Sequence, residues 1–226
     1  ARRRVDDGAR PRIVVAASAF ALEHFAAARR ADPAVPLVLI RSNGPHEAMV
    51  DLTNRERARC GLAAVASTPL ERWRHRQEER LADVLVVHSA ASARGYVAAG
   101  RSAERIAIVP LAFDAPPRRA RKRARAPGDP LRFLFLGTDP FRKGLRVLLA
   151  AWDALRPRHA TLRCLTDTEV LTSPAVLKIL VRNPSIVVEP LVPHAAVARV
   201  LDGADCQILP SFEDGFALAV AEGMTR

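Results

Sequence analysis

Cys206-Gln207-Ile208-Leu209-Pro210-Ser211-Phe212-Glu213-Asp214-Gly215-Phe216, followed by Ala217-Leu218-Ala219-Val220-Ala221-Glu222-Gly223-Met224-Thr225-Arg226, is the stretch that decides how the rest of the chain is read. An apolar run ends in Pro-Ser, an acidic pair and Gly-Phe follow, and then comes an alanine-rich segment of good helix propensity. The order is strand, tight loop, helix. Asp214 and Glu222, eight positions apart, bracket a helix start whose free N–H groups point into the loop. Such an arrangement suits a bound phosphate and its sugar.

Working backwards, the same alternation recurs. Residues 131–136 read as a strand, 137–144 as a loop and 145–155 as a helix, followed by a strand at 161–165, a helix near 175–181, a strand at 186–188 and a helix at 194–201. Further upstream, strands are expected at 13–17, 37–40, 83–87 and 106–109. Helices are expected at 20–30, 46–59, 70–81 after the cap Ser67-Thr68-Pro69, and 89–99, closed by Gly100. Alternation of this kind implies parallel sheets wrapped by helices. Between the two halves stands Arg118-Arg119-Ala120-Arg121-Lys122-Arg123-Ala124-Arg125, bracketed by Pro116-Pro117 and Pro127-Gly128-Asp129-Pro130. A charge run between prolines reads as a solvated linker, which gives units at 1–117 and 131–226 joined by 118–130.

Composition narrows the class. The 226 residues, 49% of them hydrophobic, can bury one large core or two small ones. No apolar run reaches the roughly 18 residues of a membrane span, and no signal-peptide pattern precedes Ile13. Cys60, Cys164 and Cys206 are scattered, implying neither a disulfide framework nor a zinc site, and a reducing cytoplasm is the simplest home. The net charge of +11 is almost wholly arginine beside abundant alanine, the mark of coding bias. The sharper reading is an arginine-rich module for nucleic acid or an anionic surface. No aromatic interrupts residues 118–125, so base stacking is not provided for and nucleic acid is not expected as a partner. Asp167-Thr168-Glu169 resembles a metal-binding cluster but lacks a second ligand set. Trp73 and Trp152 are expected to pack in a core or interface.

Five quoted segments occur in an order that resembles one family: residues 81–89 (LADVLVVHS), 108–114 (IVPLAFD), Phe135-Leu136-Gly137 with Arg142-Lys143-Gly144, Ala204-Asp205, and 209–216 (LPSFEDGF). They resemble the retaining glycosyltransferases of family 4 (group 1), whose GT-B fold pairs two Rossmann-like parallel-sheet domains. The resemblance implies an α/β chain holding part of an N-terminal, acceptor-side domain and part of a C-terminal, nucleotide-sugar-binding domain, both incomplete. It implies a sugar transferred, with retention, from a nucleotide-sugar to a glycan, lipid-linked or small-molecule acceptor, as in polysaccharide biosynthesis, with no metal or other cofactor. A cytoplasmic enzyme touching an anionic membrane from the inner face is compatible with it. So is a non-catalytic relative that keeps the fold alone.

The resemblance also assigns roles. Lys143 contacts the donor diphosphate, Asp214 accepts hydrogen bonds from donor-sugar hydroxyls, and Glu222 holds the ribose. Gly137, Gly215 and Phe216 belong to the donor-binding loops. Thr138 stands where the family commonly has an arginine, and Arg142 substitutes for it. The plainer alternative makes Arg142 and Lys143 surface charges, although cations are unfavourable near a helix N-terminus. Glu213 is expected to face solvent. The family's catalytic histidine directly follows a strand. Here that place holds Arg41, which could itself face the phosphates, and the nearest histidine is His46, the candidate, whose plainer role is a helix cap.

Overall fold

The computed structural model describes residues 12–113, 126 and 128–225. The basic run 118–125 and Asp114 lie outside them. The chain divides into two compact units, residues 1–48 with 66–111, and residues 49–65 with 112–226.

In the first unit, β1 (Val14–Ala17), β2 (Leu37–Arg41), β3 (Val84–Val87) and β4 (Ile106–Ile108) form a parallel sheet in sequential order. The crossovers carry α1 (Leu22–Ala31), the start of α2 (His46–Arg59), α3 (Pro69–Leu81) and α4 (Ala90–Ala98). Strand alternation decides the core. Leu37, Leu39, Leu85 and Val87 point to one face and bury with Phe25 and Tyr96. Val15, Val38, Ile40, Val84 and Val86 point to the other and stay partly exposed. Local chemistry sets the helix starts. Thr68 and Glu71 form a reciprocal capping box before α3, with Pro69 in its first turn, and the Ser89 hydroxyl accepts from Ser92 N at the start of α4.

The second unit is doubly wound. β5 (Leu131–Leu136), β6 (Ala160–Leu165), β7 (Ile186–Glu189) and β8 (Cys206–Gln207) pair in parallel in the order β7-β6-β5-β8. Phe135 points to the face covered by α5 (Leu145–Leu155) and α6 (Pro174–Arg182), while Leu134 and Leu136 point to that covered by α7 (His194–Asp202). Strand pairing at β8 is shorter than the expected run to Leu209. Ile208 N still donates to Leu134 O at 2.8 Å, but Pro210 has no N–H to continue the ladder. The helix that follows, α8, spans Leu218–Met224. The 49–65 segment, which continues α2, joins this unit through polar ties. The buried Glu56 carboxylate accepts from Arg146 Nε at 2.7 Å, the Ser173 hydroxyl donates to Cys60 O at 2.6 Å, and Arg57 grips Glu169 with two bonds of 2.6 and 2.8 Å.

Candidate active site

The order β7-β6-β5-β8 places a topological switch point between β5 and β8. There the chain leaves neighbouring strands for opposite faces of the sheet, and the loops at their carboxyl ends lie where open α/β sheets usually form a ligand crevice. The two loops are residues 137–144 and 208–217, so the fold brings together the two segments that carry most of the expected donor-binding residues.

They are joined by an interlocked set of charges. Arg142 and Lys143 are each only 9% exposed, which excludes the surface-charge alternative. Arg142 Nε donates to Asp139 Oδ2 at 3.1 Å, and its Nη1 reaches both the Glu213 carboxylate at 3.0 Å and the Glu213 carbonyl at 3.1 Å. Glu213 is therefore the partner of Arg142 and not a solvent-facing side chain. Lys143 Nζ pairs with the Asp214 carboxylate. The backbones are tied as well, Phe212 N donating to Arg142 O at 3.0 Å. Gly137 lies under the Lys143 stem, where a Cβ would sit 3.5 Å from Lys143 Cγ. Thr138 is exposed, and Gly215 is buried within the acidic loop. The Ser211 hydroxyl, one residue before Phe212, is buried and has no hydrogen-bond partner among the described residues.

Glu222 lies on α8, with His194 Nε2 3.4 Å from its Oε1. The Gln207 side chain donates to Ala219 O at 3.0 Å and so holds α8 against β8. Asp167 accepts from Asp139 N at 2.8 Å and supports that residue in its left-handed conformation (φ 52°). Among the described residues no group of three or more His, Cys, Asp or Glu side chains could hold a metal ion. Asp167 and Glu169 are instead bonded to Asp139 N and Arg57. They line a cavity of about 300 Å³ whose other walls include Met49, Val65 and Phe141. Carboxylates beside an apolar wall suit a hydroxylated ring.

In the first unit, His46 begins α2, with its Nε2 2.8 Å from Ser67 Oγ and its ring 4.2 Å from that of His75. Arg41, the last residue of β2, is buried, and the cluster forms around it. Its Nε donates to Tyr96 Oη at 2.6 Å and its Nη1 lies 2.9 Å from His75 Nδ1. A guanidinium only donates, so His75 Nδ1 must accept and its proton sits on Nε2. Sequence reading gave His75 no role, because nothing in residue spacing shows that α3 returns over the end of β2.

Burial first, then the Arg41 charge, push the pKa of both His46 and His75 below 6.5. Glu71, Glu47 and Glu78 oppose the shift from α3 and α2. An imidazole with a depressed pKa in the folded state is protonated more readily in the unfolded chain. Its contribution is complete above about pH 7 and is lost as pH falls through 6.5 towards the lower folded-state value. Urea midpoints of the protein are expected to fall across that window and to do so less steeply in His75→Gln. An unchanged slope in the variant would remove His75 as the cause.

Residues 130–226 match the model of the family described as glycosyl transferases group 1. No curated protein sequence matches the chain. Among solved structures, HepE of Anabaena in complex with UDP and glucose superposes with a TM-score of 0.60 at 15% identity, covering 91% of this chain and 54% of that one. WaaG, a glycosyltransferase involved in lipopolysaccharide biosynthesis, gives 0.56 at 14% identity, covering 87% and 59%. A TarM variant of S. aureus, in complex with fondaparinux, α-GlcNAc-glycerol and UDP, gives 0.56 at 8%, covering 88% and 38%. The chain thus spans between 38% and 59% of the length of these structures. What they share with it at such identities is the fold, two Rossmann-like α/β units of the GT-B type.

Proposed function

We propose that this chain carries the donor-binding machinery of a nucleotide-sugar-dependent glycosyltransferase. The observation that carries the reading is the pair of buried cations, Arg142 and Lys143, held after β5 against the acidic loop after β8 at the switch point. The match of residues 130–226 to group 1 glycosyl transferases supports it, as do neighbours crystallised with UDP or UDP and glucose.

Transfer of a sugar from a nucleoside diphosphate leaves negative charge on the departing phosphates, and fixed cations in a shielded crevice stabilise it. Lys143 and Arg142 supply that charge. The crevice already matches them with Asp139, Glu213 and Asp214, so both side chains are held in position. Asp214 and Glu222 accept hydrogen bonds from sugar and ribose hydroxyls, while Gly137, Thr138, Gly215 and Phe216 shape the loops around the donor. His46, in its cluster with Arg41 and His75, serves the reacting end. The reaction proceeds with retention and moves a hexose to a glycan or lipid-linked acceptor at the inner face of the membrane, with no metal.

Calorimetric titration with UDP, GDP and ADP tests this. One of them is expected to bind saturably, and Lys143→Ala to weaken it about 10- to 100-fold, the equivalent of one charge-assisted contact. Asp214→Asn should leave the nucleoside diphosphate bound as tightly or more tightly, because Lys143 loses its competing partner, while erasing any preference for the sugar-bearing donor. Binding of none of the three, or equal affinity in Lys143→Ala, would refute the assignment.

A further inference from the structure

We propose that the outward side of α3 is a docking face for an anionic lipid surface. The helix reads Pro69-Leu70-Glu71-Arg72-Trp73-Arg74-His75-Arg76-Gln77-Glu78-Glu79-Arg80-Leu81, and its exposed residues cluster. At about 100° per residue, Arg72, Arg76, Arg80, Trp73 and Leu70 fall within roughly 160° of arc, and all five are exposed. Leu70 is 63% and Trp73 47% exposed, so of the two places expected for Trp73, core or interface, the core is excluded.

The charges on this helix are sorted by side. Glu78 is fully buried beneath the start of α1, Glu79 turns to Arg41, and Glu71 is held in the capping box with Thr68. Arg74, on the inner flank, is paired with Glu23. What remains outward is a row of three arginines at one-turn spacing, of which Arg76 shares its charge with Glu47 at 2.8 Å, beside one tryptophan and one leucine.

This is the chemistry of a helix lying in a lipid interface. Arginine stems cover apolar surface while their heads reach phosphate, and an indole ring prefers the headgroup boundary. The α3 helix has 13 residues, and no helix among the described residues is long and apolar enough to cross a membrane, so contact would be parallel to the surface. A nucleic acid fits less well, because one aromatic makes no stacking platform and Leu70 offers a base nothing. The five residues of this face belong neither to the run 118–125 nor to the donor-binding loops 137–144 and 208–217, so lipid binding can fail with nucleoside diphosphate binding intact, and the reverse.

Trp152 is 5% exposed, so a vesicle-induced change in intrinsic fluorescence reports Trp73. With vesicles of phosphatidylcholine and phosphatidylglycerol the emission is expected to shift to the blue, and with phosphatidylcholine alone to stay unchanged. Replacing Arg72, Arg76 and Arg80 together with glutamine should lower partitioning about 100-fold, near fivefold for each charge, and Trp73→Ala should reduce co-sedimentation with the mixed vesicles. Partitioning retained by the triple variant would overturn the proposal. So would an equal blue shift with a mixed-sequence single-stranded oligonucleotide, which would mark the face as a nucleic-acid site.

Discussion

Gly144→Ala is expected to destabilise the second unit by about 3 kcal/mol or more, among the larger effects a single methyl group can have. Two independent costs meet there. Gly144 holds φ at +77°, where an L side chain loses about 1–2 kcal/mol. A Cβ at this position would also lie 2.0 Å from the Pro210 carbonyl oxygen and 2.9 Å from its carbon. That oxygen belongs to backbone and cannot rotate away. The loop bearing it is fastened by Phe212 N to Arg142 O and by the Arg142–Glu213 and Lys143–Asp214 pairs. Relief of the clash therefore means parting the two loops that form the crevice, and nucleoside diphosphate affinity should drop even in the folded fraction. Gly223→Ala is the informative contrast. Its Cβ would fall 1.9 Å from Gln207 Oε1, equally close, but that atom is the tip of a flexible side chain. The Gln207 amide can swing aside at the cost of its bond to Ala219 O, about 1 kcal/mol. Urea midpoints of the two variants should differ clearly. Similar midpoints would mean that the residue 208–217 loop yields as readily as a side chain.

The same contrast explains what the sequence could show. Strands such as 133–136 and 84–87 were legible as short, continuous apolar runs bounded by turns, even though one face of 84–87 stays partly exposed. Helix starts were legible where a local device marks them, as at Thr68-Pro69 and Ser89. Lys143 and Asp214 drew attention because each follows a strand within a loop of recognisable pattern. Their mutual pairing, across 71 positions, was not. Glu213 illustrates the gap. Its neighbours gave no reason to turn it inward, and only the return of β8 beside β5 sets it against Arg142. The membership of residues 49–65 in the second unit was equally hidden, since Glu56 and Arg57 look like ordinary surface charges until Arg146 and Glu169 are brought to them. Long-range polar pairs have no period, so a single sequence does not announce them.

Glu78→Ala is expected to cost the first unit about 3 kcal/mol, because it would strip three backbone amides, one buried and two partly buried, of their acceptor at once. The start of α1 has no side-chain cap of its own, since Ala21 occupies the capping position. Its free N–H groups are met instead by a carboxylate from α3. Glu78 Oε1 accepts from Ala21 N at 3.0 Å and Leu22 N at 3.3 Å, and Oε2 accepts from Ala19 N at 2.9 Å. The charge also lies at the positive end of the α1 dipole, which strengthens each bond. Ala19 adds strain to the same turn, at φ +72° without the freedom of glycine. Glu78→Gln keeps the shape but replaces one acceptor oxygen with an NH2 that faces a backbone donor, so about half the loss should remain. Amide exchange separates this account from a mere packing defect. Ala19, Ala21 and Leu22 should lose protection in both variants, well before Leu37 and Leu39 in the neighbouring strand. If those three amides stayed as protected in Glu78→Gln as in the parent, the carboxylate would not be what holds the start of α1.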